Sequence, residues 1–353
     1  VNPQSDGYPE AWWLPAADNI PPTFVDKGTH YDQYDLTNTY PGSAFFGYEN
    51  TQEATTIWYH DHSLGMTRLN VYAGPAGFWL IRGGAHGDDF IDNVDTPAAL
   101  DGKLPGPAPV AGDLTVPLNV VGDAKRNSIR EIPIAIQDRS FDWVDASGNV
   151  VPQGDPSAVG TELWYPTSRV DFDGYDGPYL GEPGQSDADI SKIWNPEAFF
   201  NTFVANGVTW PKLDVAPERY RFRLLNGCNS RTINLFMEVM SSSNAALVGT
   251  EIPFYQIGGD QGFLPAVTMI KSGVMAQLTP GQAIPNPVPA TGDIQALLLM
   301  PAERADVIVD FSNIPDGTRI RVRNNAGDDP YGGLDPDPTT WADPGTTGQV
   351  MEF

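Results

Sequence analysis

Apolar and polar residues alternate strictly in several stretches of this sequence, and this alternation constrains the fold more than any other feature. The runs at 132–136 and 220–224 place isoleucine, leucine or aromatic side chains at every second position. Because successive side chains of a strand point to opposite faces, each run predicts a strand with one buried and one solvated face. In the second run, Arg219, Arg221 and Arg223 are therefore expected on the solvated face.

The composition favours short strands joined by turns. Glycine and proline contribute 36 and 33 of the 353 residues, and 41% of the residues are hydrophobic. This content of glycine and proline is higher than the average for folded proteins, but it is lower than the content typical of disordered chains. No helix longer than two or three turns is indicated, and residues 191–203 are the best candidate for one. We therefore predict an all-β protein built as antiparallel sandwiches or barrels.

A shift in composition predicts two domains. Residues 84–112 are rich in glycine, proline, alanine and aspartate without sustained alternation, which is typical of a linker. Before this linker, residues 1–83 form a short block that is rich in aromatic residues. After it, residues 113–353 form a domain-sized block of predicted strands with long acidic loops.

Charge and cysteine content exclude several kinds of partner and site. The chain carries 20 lysines and arginines against 45 aspartates and glutamates, a net charge of −25. Phosphate backbones repel such a polyanion, so we expect no nucleic-acid partner. Without a run of about 18 apolar residues, we also expect no membrane span. The single cysteine, Cys228, excludes an internal disulfide and a cysteine-cluster metal site, and we expect it to be a buried structural thiol.

Two of the four histidines, His60 and His62, lie close together in the run WYHDH at 58–62. The β-branched and aromatic residues before them predict a strand, on which residues two apart share a face at a spacing of roughly 6.5–7 Å. Two imidazoles so placed could chelate one metal ion or serve two neighbouring ions. The alternative is a pair of half-buried histidines packed against aromatic rings. His30 and His86 lie in a polar loop and in the linker, and we expect them at the surface.

The longer run WYHDHSLGMTRLNVYAGPAGFWLIRG at 58–83 closely resembles the second copper-binding motif of the multicopper oxidases, which include spore-coat laccases, bilirubin oxidases and phenoxazinone synthase. Further stretches resemble the second domain of these oxidases and follow in the same order, at 210–235, 254–265, 298–312 and 346–353. The resemblance implies a fold of cupredoxin-like, Greek-key β-sandwich domains.

The resemblance also implies a copper cofactor and an oxidase activity. In the family, a type 1 copper takes electrons from phenols, aromatic amines, tetrapyrroles or metal ions, and a trinuclear type 2/type 3 cluster reduces O₂ to water. His60 and His62 would be type 3 ligands, one on each copper of the pair. Asp6 matches an acidic residue near the cluster and would relay protons. The alternative is that Asp6 only caps the turn at residues 5–7.

Other family motifs do not occur in this sequence, namely His-Leu-His-Gly, His-Pro-x-His-x-His and His-Cys-His. We therefore expect a central fragment that is inactive alone, with complementary polypeptide segments supplying the remaining ligands and a third domain supplying the type 1 copper. The resemblance implies an extracellular, periplasmic or coat-associated location. Two other functions stay open, a non-catalytic cupredoxin scaffold and a mononuclear zinc hydrolase in which a third ligand joins the two histidines.

Overall fold

Strands dominate the computed structural model, which describes residues 48–63, 65–83, 104–106, 124–165, 197–271, 296–332 and 341–353. The all-β prediction is confirmed. In chain order the strands are β1 Thr55–His60, β2 Ala76–Ile81, β3 Glu131–Arg139, β4 Phe141–Asp145, β5 Val150–Val151, β6 Ala158–Leu163, β7 Thr202–Ala205, β8 Val208–Thr209, β9 Arg219–Asn226, β10 Ile233–Ser241, β11 Glu251–Ile252, β12 Phe254–Gly259, β13 Gly262–Ile270, β14 Leu298–Leu299, β15 Arg304–Asp310, β16 Arg319–Asn324 and β17 Gln349–Glu352.

The helices of the described residues are short: α1 Thr67–Ala73, α2 Ala124–Ser128 and a 3₁₀ turn at Ala245–Leu247. None of them is long and apolar enough to cross a lipid bilayer. The prediction of a helix at 191–203 is wrong for its described part, because residues 197–201 are irregular and β7 begins at Thr202. β-Branched and aromatic residues favour a strand here, and pairing with β3 makes Phe203 part of the core.

Two sheets pack face to face and enclose the main hydrophobic core. The larger sheet has the strand order β13-β12-β15-β9-β3-β7-β8, and the smaller has the order β11-β10-β16-β17 with β14 beside β10. β3 and β9 pair in parallel. Phe222 and Val307 are partners on the larger sheet, as Met237 and Val322 are on the smaller, and all four lie in the core between the sheets. Alternation along each strand thus places every second residue in the sandwich.

The opposite face of the larger sheet is also covered. Arg219 is exposed as predicted, with 67% of its side chain accessible. The prediction of a solvated face is wrong for Arg221 and Arg223, whose exposed fractions are 0% and 1%. The β1–β2 hairpin packs over this face, and Thr56 of β1 accepts a hydrogen bond from Arg223. Residues 48–83 and the sandwich are therefore in direct contact through charged side chains.

A second, smaller contact joins residues 48–83 to the sandwich. β4, β5 and β6 form a three-stranded sheet in the order β5-β4-β6. Near the end of β6, a small cluster of buried residues contains Tyr72 of α1 together with Ala198 and Phe200, and Trp164 packs against it. The segment that carries the two histidines is consequently held on both sides, through β1 before it and through α1 after it.

Candidate metal centre

The two motif histidines lie next to each other at the end of β1. His60 is the last residue of the strand and pairs with Ala76 of β2, while His62 follows in the turn. Their ring centroids are 5.8 Å apart, with 32° between the ring planes. Trp58 shares the face of His60, and its ring lies 4.6 Å from the His60 ring. The structure therefore places the two imidazoles that the sequence singled out next to each other, with the Trp58 ring beside His60.

A backbone hydrogen bond sets the orientation of the His60 ring. Its Nδ1 atom lies 2.6 Å from the carbonyl oxygen of Asp61. Because a carbonyl oxygen only accepts hydrogen bonds, Nδ1 must carry the hydrogen, and the lone pair of the neutral ring is then on Nε2. Metal-binding histidines in proteins commonly donate their other ring N–H in this way, which fixes the ring and its tautomer. Nε2 of His60 is thus the atom available to a metal ion.

The Asp61 carboxylate organises the turn between the two histidines and α1. It accepts hydrogen bonds from the Ser63 amide at 3.0 Å, the Ser63 hydroxyl at 2.9 Å and the Asn70 side-chain amide at 2.9 Å. Partial burial raises the pKa of Asp61, but the hydrogen bonds from Asn70 and Ser63 outweigh this effect and leave the pKa below its ordinary value. With its oxygens committed to these donors, Asp61 shapes the turn and is a poor candidate for a ligand.

Sequence reasoning had not assigned this role to Asp61 or any role to Asn70. The sequence did contain a signal for the role of Asp61. Aspartate two residues before serine is typical of an Asx-turn, in which the carboxylate accepts a hydrogen bond from the backbone amide two residues later. The contact with Asn70 had no comparable signal. It forms because α1 begins at Thr67 and brings its second turn back over Asp61.

Helix α1 is anchored through Tyr72, whose exposed fraction is 4%. The Tyr72 ring stacks on Phe200 with centroids 4.3 Å apart, and the guanidinium of Arg139 lies 4.7 Å from its centroid. Its hydroxyl donates to the carbonyl oxygen of Trp164 at 2.7 Å. Burial raises the pKa of Tyr72 to about 12 and outweighs the opposing effects of Ser140 and Arg139. The phenol therefore stays neutral and acts as a buried donor.

Strand β1 is anchored by four hydrogen bonds near its start. Arg223 Nη1 donates to Thr56 Oγ1 at 2.8 Å, and Arg304 Nε donates to the Thr56 carbonyl oxygen at 2.9 Å. Thr55 Oγ1 donates to the carbonyl oxygens of Asp260 and Gly259 at 3.0 and 3.4 Å. Both threonines are buried. The strand that ends in His60 is therefore fixed to β9, to β15 and to the turn between β12 and β13.

The other candidate residues are placed as follows. Asp6, His30 and His86 lie outside the described residues. Cys228 is buried as expected, with its Sγ 3.8 Å from the carbonyl oxygen of Ile136, and burial raises its pKa well above the ordinary value. Within the described ranges, no group of three or more histidine, cysteine, aspartate or glutamate residues is arranged to hold a metal ion.

The donor set is nevertheless suited to copper. Neutral imidazole is a preferred copper ligand, and copper binds nitrogen donors more strongly than the other divalent first-row metals. The oriented Nε2 of His60 and the adjacent ring of His62 fit such an ion. Two imidazoles do not complete a coordination sphere, so any metal held here needs further ligands from outside the described ranges.

Comparison with known proteins finds relatives that are laccases and multicopper oxidases. No family model matches the chain. A laccase from Bacillus stratosphericus is 30% identical over 325 residues, which cover 92% of this chain and 41% of the laccase. Multicopper oxidase LPR1 from Arabidopsis thaliana is 25% identical over 351 residues, which cover 99% of this chain and 39% of that protein. These relatives support the multicopper oxidase family for this chain.

Among solved structures, multicopper oxidases also match this chain. A crystal structure of the McoA multicopper oxidase from Aquifex aeolicus matches 86% of this chain and 41% of its own, with 20% identity and a TM-score of 0.45. The chain spans about two fifths of the length of the curated relatives that it matches.

Proposed function

We propose that this chain is part of a laccase-like multicopper oxidase and contributes His60 and His62 as type 3 copper ligands. The observation that carries the proposal is the pair of adjacent imidazoles, one of them oriented by the Asp61 carbonyl so that Nε2 faces away from the backbone. The remaining ligands of the trinuclear cluster, and the type 1 copper, are proposed to come from complementary polypeptide segments. The complete oxidase is then this chain together with those segments.

The proposed reaction divides between copper and the residues of this chain. When bound, copper supplies one-electron chemistry, by which O₂ is reduced to water with electrons from phenolic, aromatic amine, tetrapyrrole or metal-ion donors. His60 holds its metal-binding nitrogen in place through Nδ1, and Asp61 keeps the turn to His62 rigid. Trp58 packs against the His60 ring and supports its orientation. Asp6 is proposed to deliver protons, since reducing O₂ to water consumes four of them.

The zinc-hydrolase alternative, like the copper site, needs ligands from outside the described residues. A catalytic zinc site needs three protein ligands, and no third histidine, cysteine or carboxylate is grouped with the two histidines there. The extracellular, periplasmic or coat-associated location remains a proposal that follows from the resemblance alone.

The proposal is tested by replacing each histidine in the complete oxidase. We expect His60→Ala and His62→Ala to lose type 3 copper and O₂ consumption, while the type 1 copper still accepts electrons from the donor. His30→Ala and His86→Ala are matched controls, because these histidines are predicted to lie at the surface, and they should keep full copper content. Full copper and full turnover in the His60→Ala/His62→Ala double variant would refute the assignment, and so would a colourless protein that contains zinc.

The role proposed for Asp6 is tested in the same assays. Asp6→Asn should keep its copper but consume O₂ more slowly, with a larger deficit at higher pH, because an amide of similar size cannot relay protons. Steady-state rates equal to those of the wild type across the pH range would remove Asp6 from the mechanism.

A further inference from the structure

Charged residues from both parts of the chain meet beneath the β1–β2 hairpin, and all of them are buried except Arg82, whose side chain is 22% exposed. Glu131 at the start of β3 has an exposed fraction of 0%, and it accepts hydrogen bonds from Arg223 Nε at 2.6 Å and from Arg82 Nη1 at 3.1 Å. Arg221 Nη1 lies 3.6 Å from the same carboxylate, and Nη2 of the same guanidinium pairs with Asp306 on β15. We call these five residues the buried ion cluster. Arg82 is its only member from residues 48–83.

The buried ion cluster reaches the copper motif through Thr56. Arg223 donates to Glu131 through Nε and to the Thr56 hydroxyl through Nη1, so that one guanidinium bridges β3 and β1. Thr56 and His60 lie on the same face of β1, four residues and about 13 Å apart. Arg82 follows β2, whose Ile81 pairs with Thr55. The cluster therefore holds both strands of the hairpin at the end opposite to His60.

Stability alone is a weak reason for such a cluster. Burying ions is costly, and replacing a buried ion pair with apolar residues of similar volume is often neutral or stabilising. Directional, charge-assisted hydrogen bonds do provide a fixed geometry, which apolar contacts do not. Geometry matters in this hairpin, because a slip of one residue along β1 would turn His60 to the opposite face. The ionic state of Glu131 is secure, because the charges of Arg223, Arg221 and Arg82 outweigh the effect of burial and lower its pKa to about 2.

We propose that Glu131 and Arg223 are positioning residues for copper binding, which fix β1 on the sandwich and thereby place His60 at the metal centre. This inference rests on the function proposed above. It predicts that copper binding responds to residues that lie far from the ligands and touch no metal.

The test compares Glu131→Gln and Arg223→Met with Arg219→Met and Asp310→Asn. The last two are matched controls, because Arg219 and Asp310 form an exposed ion pair on the same strands, β9 and β15. Substituting residues that orient metal ligands commonly costs about 10–100-fold in metal affinity. We expect a loss of this size in copper affinity at the type 3 site for Glu131→Gln and Arg223→Met, and none for the controls.

A second measurement does not depend on copper. In the metal-free protein, hydrogen exchange at the backbone amides of residues 55–60 should become at least 10-fold faster in Glu131→Gln and Arg223→Met. Exchange in β10, on the other sheet, should stay as slow as in the wild type. A protein that was only less stable as a whole would lose protection in both places, and this result would contradict a positioning role.

Thr56→Val provides a milder test that does not depend on the folding of the charge variants. It keeps the shape and the strand preference of the residue but removes the acceptor for Arg223, so copper affinity should fall and exchange at 55–60 should accelerate. Unchanged affinity and exchange in Thr56→Val would overturn the proposal, as would normal values in folded Glu131→Gln. If His60→Ala itself leaves copper binding intact, the proposed function fails; if only the cluster variants bind normally, the positioning role alone fails.

Discussion

Tyr72 is expected to stabilise helix α1, which follows the two motif histidines, through both its hydroxyl and its ring. In Tyr72→Phe the ring still stacks on Phe200, but the Trp164 carbonyl loses its donor at 2.7 Å. Leaving this partly buried acceptor unpaired costs about 1–2 kcal/mol. For a domain of this size, each 1 kcal/mol corresponds to a shift of roughly 2–4 °C in Tm. Tyr72→Leu also removes the ring contacts with Phe200 and Arg139, and it should cost about 3–4 kcal/mol in all.

Calorimetric unfolding measures this effect, and Tyr48→Phe is its control. Tyr48 has an exposed fraction of 64%, so removing its hydroxyl should change stability by less than about 0.5 kcal/mol. If Tyr72→Phe lowers the free energy of unfolding no more than Tyr48→Phe does, the Tyr72 hydroxyl does not anchor α1 and the reasoning is refuted.

The pH dependence gives an independent check on Tyr72. Burial raises its pKa from 10.0 to about 12, so folding favours the neutral phenol. When folding raises the pKa of a group, the group stabilises the folded state fully at any pH below the pKa of the unfolded chain. This stabilisation is lost as the pH rises towards the pKa of the folded protein. The stability difference between the wild type and Tyr72→Phe should therefore shrink between about pH 10 and 12. In an absorbance titration of the folded protein, Tyr72→Phe should also lack one late-ionising tyrosine.

Two further predictions concern single contacts. In Gly77→Ala the new Cβ would lie 2.6 Å from the hydroxyl oxygen of Tyr59. The substitution should therefore lower the free energy of unfolding by about 1 kcal/mol in the wild type but change it little in a Tyr59→Ala background, which chemical denaturation of the four proteins would measure. Equal losses in both backgrounds would contradict the contact. Cys228 is buried with a raised pKa, so a thiol reagent should label no cysteine in the native protein and one after unfolding; rapid labelling of the native protein would show that Cys228 is accessible.

Local periodicity was sufficient to predict strands β3 and β9 and their core-facing side chains. Tyr220, Phe222 and Leu224 face the core as their spacing of two predicts, because the two faces of a strand are fixed by the covalent chain. The burial of Arg221 and Arg223 could not be predicted in this way. Their burial depends on the β1–β2 hairpin, whose Thr56 contacts Arg223 although the two residues are 167 positions apart in the sequence. No local pattern encodes that contact.

Helix α1 and the turn before it show the same limit at the candidate metal centre. The motif predicted that His60 and His62 lie close together, and the structure agrees; their binding of copper stays a prediction. The sequence TRLNVYA contains threonine, asparagine, valine and tyrosine, which are weak helix formers, so propensity gave no reason to expect α1. Tertiary contacts stabilise this helix instead. Tyr72 stacks on Phe200, and the Asn70 side chain donates a hydrogen bond to Asp61.

The contact between Arg304 and the Thr56 carbonyl has a consequence for biosynthesis, because the two residues are 248 positions apart. Ribosomes add about 5–20 residues per second, so roughly 12–50 s pass between the synthesis of Thr56 and that of Arg304. During that interval the copper motif has already been made, but the strand that holds it in place has not. The histidine strand is among the first parts of the described chain to be translated, but its contact with Arg304 forms only after β15 has been translated. If His60 binds a metal ion as we propose, a fully fixed site for that ion exists only from that moment on.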